Sequence, residues 1–234
     1  MYLEKFTIEN FRKFKDKNNE IIFANNVNGK NLNGSTLIIG QNNVGKTSII
    51  AALKRSTNCE LFSATDFNFS YLSEILEYFY INLAKIKSTF IDGEDKFRDE
   101  RENLISGLSP FMKFGFTFVL NCTDSDCEEL LTNIAPLITN DLIETREIRA
   151  FVKFGVKEEI KFITNFYDKF KNKNKDDAFA EFVEFLENDV EFENNIYLDE
   201  ACESAVSNFS IKDLVKVNVV SFENCLDFQD FISV

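Results

Sequence analysis

The feature that most constrains this chain of 234 residues is the segment Gly40–Thr47, which reads Gly-Gln-Asn-Asn-Val-Gly-Lys-Thr. Its spacing matches G-x-x-x-x-G-K-[ST], the phosphate-binding loop of nucleoside triphosphatases. The apolar residues 36–39 predict a short buried strand before the loop, and residues 48–55 predict the first turns of a helix after it. This order brings the backbone N–H groups of the loop and the helix N-terminus together around an anion. Because the whole chain contains only 8 Gly, a chance match at this spacing is not expected.

The motif assigns a chemical role to its individual positions. Lys46 is the candidate catalytic residue, because its ammonium group would reach the β- and γ-phosphates of ATP. The hydroxyl of Thr47 would be a ligand of Mg²⁺, so ATP and Mg²⁺ are the expected ligands. Gly40 and Gly45 permit backbone conformations and close approaches that a Cβ atom would block. The remaining residues of the predicted nucleotide site are Gln41, Asn42, Asn43, Val44 and Ser48.

The composition excludes several other kinds of site. The chain has no His, which removes His-activated nucleophiles, His–metal sites and His pH switches from consideration. Its 5 Cys show no C-x-x-C pair, which is typical of a reduced cytoplasmic protein and not of a disulfide framework or a zinc site. There is no apolar run of about 18 residues that could span a membrane. The N-terminal residues have no signal-peptide character, so a cytoplasmic location is expected.

The net charge of −13 is distributed unevenly. Residues 1–60 contain nine basic and five acidic side chains, whereas residues 61–234 contain seventeen and thirty-four. The acidic part argues against a broad nucleic-acid-binding face there. The basic excess near the N-terminus admits two interpretations, contact with the phosphates of a nucleotide or of DNA, or a solvated strand edge. The side chains concerned are Arg12, Lys13, Lys15 and Lys17.

The hydrophobic pattern predicts an α/β fold with a more helical C-terminal part. Residues 160–164 fit either a return strand or a helix. The Asn33-Gly34 pair is a turn signal before the strand that leads to the phosphate loop. Strands are predicted at residues 2–8, 20–23, 114–120 and 148–154, and helices at residues 71–86, 94–105, 126–138 and 179–186.

The segment from Leu3 to Phe14, LEKFTIENFRKF, followed by residues 40–48, resembles the start of ABC-type DNA-associated ATPases. These are the RecF and SMC proteins and the OLD-family ATPases. Members open with I-x-N-F-[RK]-x-F and continue into G-x-N-x-x-G-K-[ST]. The Asn-Asn-Val-Gly-Lys version is most similar to the OLD branch, and the resemblance is firm over roughly residues 1–55.

This resemblance implies the first half of an ABC-type ATPase head over residues 1–166, with a mixed sheet, an N-terminal β-hairpin layer and flanking helices. A helical arm or dimerisation segment would follow over residues 167–234. Arg12 would lie near the nucleotide. ATP would be sandwiched between two heads, which predicts a homo-oligomer formed through the heads or the arm. OLD members also carry a Toprim nuclease domain, so the chain is expected to be the N-terminal portion of a longer ATPase.

The sequence departs from the family pattern in three places. No L-S-x-G-[EQ] signature is present, and residues 104–109 lack its acidic or amide position. A Walker B look-alike ends in Asp199-Glu200, but only three apolar residues precede it, so an exposed acidic pair on a helix is predicted instead. The glutamine of the family's Q-loop has no clear counterpart, because Gln41 and Gln229 are the only Gln residues.

Two functions follow from these observations. The first is an ATP-binding and ATP-hydrolysing module of an OLD/RecF-like DNA-processing or anti-phage defence complex, in which ATP controls assembly or gating of a nuclease or other effector. DNA is a further candidate partner, and hydrolysis is expected to need sequence beyond residue 234 or a second head. The alternative is a non-catalytic nucleotide-sensing module that binds a protein partner. A kinase or small GTPase is disfavoured, because residues 174–177, Asn-Lys-Asp-Asp, match the letters of N-K-x-D but lie in a polar connector. The apolar helix face expected to need a partner consists of Phe179, Phe182, Phe185 and Leu186.

Overall fold

A computed structural model of the chain describes residues 2–23, 45–92, 98–119, 147–206 and 211–214. These residues form a mixed α/β structure in which helices pack on an antiparallel sheet of five strands. The α/β fold class predicted from the sequence is therefore confirmed. Some predictions lie outside the described residues, namely the strand at residues 36–39, the Asn33-Gly34 turn, loop residues 40–44 and the helix at residues 126–138.

The sheet has the strand order β2-β1-β3-β4-β5, and every neighbouring pair is antiparallel. The predicted hairpin is confirmed as β1 and β2, and the two predicted central strands are confirmed as β3 and β4. The fifth strand was not predicted, because its residues Glu193, Asn194 and Asn195 are polar. The strands are β1 (Tyr2–Glu9), β2 (Asn19–Ile22), β3 (Phe111–Val119), β4 (Glu147–Val156) and β5 (Phe192–Tyr197).

The helices largely follow the predicted periodicity. The ambiguity at residues 160–164 resolves as helix, because aromatic rings at positions 162, 166 and 170 share one buried face. The predicted helix at residues 71–86 is interrupted at Asn82, whose side chain donates to the carbonyl of Tyr78 at 2.9 Å. A 3₁₀ turn covers Ala64–Asp66 and a π turn covers Lys87–Ile91. The helices are α1 (Lys46–Thr57), α2 (Phe69–Ile81), α3 (Leu83–Ile86), α4 (Arg98–Leu108), α5 (Glu159–Phe170), α6 (Lys175–Asn188) and α7 (Ile211–Leu214).

Phenylalanine supplies most of the contact between the sheet and the elements that cover it. Phe114 on β3 is fully buried, and its ring stacks on that of Phe62, just after α1, with centroids 4.9 Å apart. Phe11, in the loop after β1, packs edge-on against both rings at 5.6 Å. Aromatic pairs of this kind add to the free energy gained from the buried area itself. They fix the start of the chain, the sheet and the end of α1 relative to one another.

The helices on either side of residue 166 belong to the same core. Phe166 on α5 stacks on Phe79 of α2 at 4.1 Å and on Phe182 of α6 at 4.7 Å. The boundary expected at residue 166 falls inside α5, and the following strand β5 pairs with β4. Within the described residues, the elements before and after this position therefore share one sheet and one core.

The apolar face of α6 is covered by the chain itself. Phe182, Phe185 and Leu186 are all at most 2% exposed, and the rings of Phe182 and Phe185 contact rings of α5. Phe179 packs against Phe69 of α2. The expectation that this face needs a partner molecule is therefore wrong, because α2 and α5 already bury it. Among the described residues, no helix is both long enough and apolar enough to cross a membrane.

We predict that Phe166→Ala lowers the free energy of unfolding by about 3–5 kcal/mol, because it opens a cavity among three helices. Ile81→Ala is the control, since Ile81 is 74% exposed and its loss should change stability by no more than about 0.5 kcal/mol. Urea unfolding followed by circular dichroism measures both. Equal effects of the two substitutions would contradict the placement of α5 in the core.

Candidate nucleotide-binding site

Helix α1 begins in the way that a phosphate-binding loop requires. Gly45 is its N-cap residue and has φ 102° and ψ 9°, a left-handed conformation that glycine adopts without strain. The first helical hydrogen bond runs from the N–H of Ile49 to the carbonyl of Gly45 at 2.9 Å. The first turn carries no acidic residue, and its N–H groups receive no side-chain cap. Such a helix start attracts an anion, since its N–H groups point along the axis towards the positive end of the helix dipole.

The structure brings together four of the predicted site residues in one turn. Gly45 is buried, Lys46 and Ser48 are half-buried, and Thr47 is exposed. The predicted helix after the loop is thus confirmed. Loop residues 40–44 lie outside the described residues. The assignment of Lys46 to phosphate and of Thr47 to Mg²⁺ remains a prediction. The donor set fits it, because an ammonium, two hydroxyls and backbone N–H groups are suitable partners for phosphate and its metal.

Phe14 closes the space beside Gly45. A Cβ atom added to Gly45 would lie 3.2 Å from Cζ of Phe14, which is closer than side chains normally approach. Phe14 is held in a tight turn after β1, where its N–H donates to the carbonyl of Phe11 at 2.8 Å. Within this turn Asn10 has φ 60° and Arg12 has φ 48°. Left-handed non-glycine residues are uncommon and persist only where the surroundings fix them.

Arg12 lies in this turn, but its guanidinium contacts a protein carboxylate. Its Nε and Nη2 atoms lie 3.0 and 2.9 Å from Oδ1 of Asp66. The backbone N–H of Arg12 also donates to the carbonyl of Asp66 at 2.7 Å. The Arg12 side chain is 36% exposed, so one side of it faces solvent. Contact between Arg12 and a nucleotide stays a prediction that rests on the resemblance.

Asp66 is the centre of a buried charge cluster that the sequence analysis missed. Its side chain is 6% exposed, and its Oδ2 atom lies 2.5 Å from Nη1 of Arg55, on α1. The same Oδ2 atom accepts a hydrogen bond from the backbone N–H of Ser63 at 3.1 Å. Burial by itself would raise the pKa of Asp66, but the bonds from Ser63, Arg55 and Arg12 together hold it below its usual value. The carboxylate is therefore ionised at neutral pH.

The Asp199-Glu200 pair is not helical, contrary to the sequence prediction. It lies in a turn directly after β5. The carbonyl of Glu200 accepts a hydrogen bond from Nζ of Lys113 on β3. Lys113 lies on the opposite face of the sheet from its neighbour Phe114, whose ring stacks on Phe62. By contrast, Asn194 of β5 donates to the carbonyls of residues 59 and 60 at the end of α1, at 3.2 and 3.0 Å. Among the described residues, the Glu200 carbonyl and the segment just after α1 therefore contact opposite faces of the sheet.

The segment at residues 104–109 has a structural role. Gly107, on α4, lies against the ring of Tyr78 on α2, and a Cβ atom there would come within 2.5 Å of the ring. Leu104 and Leu108 are buried in the core. The glycine therefore permits close packing of α4 on α2.

A cleft of about 900 Å³ lies between α4, β4, β5 and the start of α5. None of its lining residues belongs to α1. Three basic and three acidic side chains line it, and burial raises the pKa of Glu159. Its charge is balanced, unlike that of a phosphate site. The charged residues that line it are Lys153, Lys157, Glu158, Glu159, Lys161 and Glu193.

Comparison with known proteins agrees with the geometry of α1. The model of a family described as "AAA ATPase domain" matches residues 1–226. An endonuclease named GajA from Bacillus cereus (strain HuB5-5) is 32% identical over 243 residues, which cover 97% of this chain and 33% of the endonuclease. The chain thus spans about a third of the length of this curated relative.

We predict that Gly45→Ala destabilises the protein by about 1–3 kcal/mol, since alanine is strained at a positive φ and its Cβ would press on Phe14. Gly155→Ala is the matched control, because a Cβ atom there meets its nearest neighbours at 3.7 Å. Thermal and urea unfolding compare the two variants. If Gly45→Ala were as stable as the control, the left-handed start of α1 would be wrong.

Proposed function

This chain belongs to the AAA ATPase domain family, and we propose that it is the ATP-binding and ATP-hydrolysing module of an OLD- or RecF-like DNA-processing or anti-phage defence protein. In this proposal, ATP controls the assembly or gating of a nuclease or another effector. The observation that best supports this proposal is the structure at the start of α1. There a glycine at φ 102° leads directly into Lys46 and Thr47, with neither a side-chain cap nor an acidic residue in the first turn.

The residues of this turn have distinct parts in the proposed chemistry. The N–H groups at the start of α1 orient the phosphates, and the ammonium of Lys46 balances their negative charge. The hydroxyl of Thr47 would hold Mg²⁺, which when bound neutralises charge that develops on the phosphates during transfer. Phe14 lies beside the buried Gly45 on the side of the β1 turn.

The nuclease context is supported by the relative that is described as an endonuclease and that shares 32% identity with this chain. We infer a nuclease effector, with DNA as its substrate class, and a cytoplasmic location. We also infer a homo-oligomer formed through the ATPase heads. The buried face of α6 does not contribute to that inference, because the chain itself covers it.

A second candidate function follows from one specific observation. Asp199-Glu200, which has the sequence pattern of a Walker B end, lies across the sheet from α1. The described residues therefore place no water-activating carboxylate of that pair at the phosphate loop. A module that binds ATP without hydrolysing it, and signals to a partner, is consistent with this. Phosphate release distinguishes the two functions: we expect negligible turnover by residues 1–234 alone and turnover once further sequence or a second head is present.

We predict that Lys46→Ala abolishes ATP-dependent activity and weakens Mg·ATP binding while the fold is retained. A charge-assisted contact of this kind is worth roughly 1.5–3 kcal/mol, which corresponds to about a 10- to 150-fold rise in Kd. Isothermal titration with Mg·ATP measures the affinity, and circular dichroism checks the fold.

Lys54→Ala is the matched control, since Lys54 is an exposed residue of the same helix, in its last turn. The control should bind Mg·ATP like the unmodified chain. Unchanged Mg·ATP affinity in Lys46→Ala would remove the basis of the proposed nucleotide site.

A further inference from the structure

We propose that Asp66 is the positioning residue of the start of α1, where the phosphate-loop motif ends. Its single carboxylate binds Arg12 in the turn after β1 and Arg55 on α1, and it thereby holds Phe14 against Gly45. The part of this proposal that concerns nucleotide affinity rests on the proposed function. The mechanical part, the link from Asp66 to the start of α1, stands on contacts within the chain.

The first link joins Asp66 to the β1 turn. Arg12 makes three hydrogen bonds or ion-pair contacts to Asp66, two from its guanidinium and one from its backbone N–H. Asn68 adds two more contacts, because its N–H donates to the carbonyl of Asn10 at 2.9 Å and its side chain to that of Arg12 at 2.6 Å. These bonds hold residues 10 and 12 in their left-handed conformations, and Phe14 follows two residues later.

The second link joins Asp66 to α1. Arg55 lies nine residues after Lys46, which is about 13 Å along the helix axis. Its guanidinium contacts Oδ2 of Asp66, donates to the carbonyl of Leu61, and lies 4.4 Å from the ring centroid of Phe62. Helix α1 is therefore held at its start by Phe14 and near its end by Asp66. A rigid helix fixed at two points cannot rotate or slide without breaking one of them.

The turn that carries Asp66 is itself held firmly. Within this turn, the backbone N–H of Ala64 donates to Oε2 of Glu187 on α6 at 2.6 Å. The backbone N–H of Ser63 donates to Asp66 at 3.1 Å. The carboxylate is thus presented by a fixed support, as an effective positioning group requires.

The charge count explains why this carboxylate cannot be replaced by a neutral group. Two guanidinium groups share one buried carboxylate, so removal of its charge leaves two cations side by side in a partly buried setting. They would repel each other and move apart, and the β1 turn and α1 would move with them. Lys169 and Asp189 form an exposed pair, with side chains 39% and 49% exposed. Removal of the carboxylate charge in this pair should not move the elements that carry it, because water screens the remaining charge.

The test compares Asp66→Asn with Asp189→Asn, which makes the same chemical change in the exposed pair. Amide hydrogen exchange, followed by NMR without nucleotide, reports the mechanical link. We expect exchange at Phe14 and Ile49 to accelerate at least tenfold in Asp66→Asn relative to the amide of Phe116 in the central strand. Asp189→Asn should leave all three amides unchanged. Exchange that accelerates equally at all three in Asp66→Asn would show a general loss of stability and would overturn the proposal.

The second readout is a double-mutant cycle on the Kd for Mg·ATP, with Arg12→Gln, Asp66→Asn and the double variant. We expect Asp66→Asn to raise the Kd for Mg·ATP at least tenfold. The double variant should have a Kd no higher than that of the single variant with the lower affinity, because both substitutions break the same Arg12–Asp66 contact. Additive losses would overturn the proposal. If Asp66→Asn does not fold, Arg55→Lys takes its place, since lysine keeps the charge but not the paired contacts of the guanidinium.

The two readouts separate this inference from the proposed function. Failure of the unmodified chain to bind Mg·ATP would overturn the proposed function and with it the claimed effect on affinity. The exchange rates at Phe14 and Ile49 would still confirm or reject the link from Asp66 to the phosphate loop.

Discussion

The contact between the rings of Phe62 and Phe114 fixes the arrangement on which the rest of the structure depends. Through this contact, the residues that follow α1 pack on β3, the central strand of the sheet. Phe11 packs on both rings, so the turn after β1 is drawn to the same place. Once these three rings are buried, the β1 turn, the sheet and α1 have little freedom left. The polar contacts around Asp66 then select one arrangement among those that the apolar packing permits.

The candidate site depends on two different physical effects. The backbone of Gly45 and the uncapped first turn of α1 generate a positive potential that suits phosphate. The ion cluster around Asp66 orients the elements on either side of that turn. Most of the remaining charge on the molecule is negative, with a net value of −13, so attraction of an anion must come from this local arrangement and not from the protein as a whole.

The sequence was informative where local patterns decide the structure. The glycine and lysine spacing located the start of α1, and alternation located β1, β3 and β4. It was ambiguous for α5, because a short apolar run suits a strand or a helix until the buried face is known. It missed β5, whose side chains are mostly polar, since pairing with β4 and not residue preference makes it a strand.

The contacts between distant residues were the least predictable. Nothing in the sequence marks Asp66 as the partner of Arg12, which lies 54 residues earlier. Nothing in the sequence predicts the contact between Phe14 and Gly45 either. The face of α6 was expected to need a partner, because the sequence does not reveal that α5 supplies one from within the chain.

The most direct test of the central claim is an NMR titration of the ¹⁵N-labelled chain with Mg·ATP. Two regions compete as the binding site, the start of α1 and the 900 Å³ cleft near the start of α5. We predict saturable amide shifts at Gly45, Lys46, Thr47 and Ser48, with little change at residues 153–161. Shifts concentrated in the cleft, with the amides at the start of α1 unmoved, would contradict it.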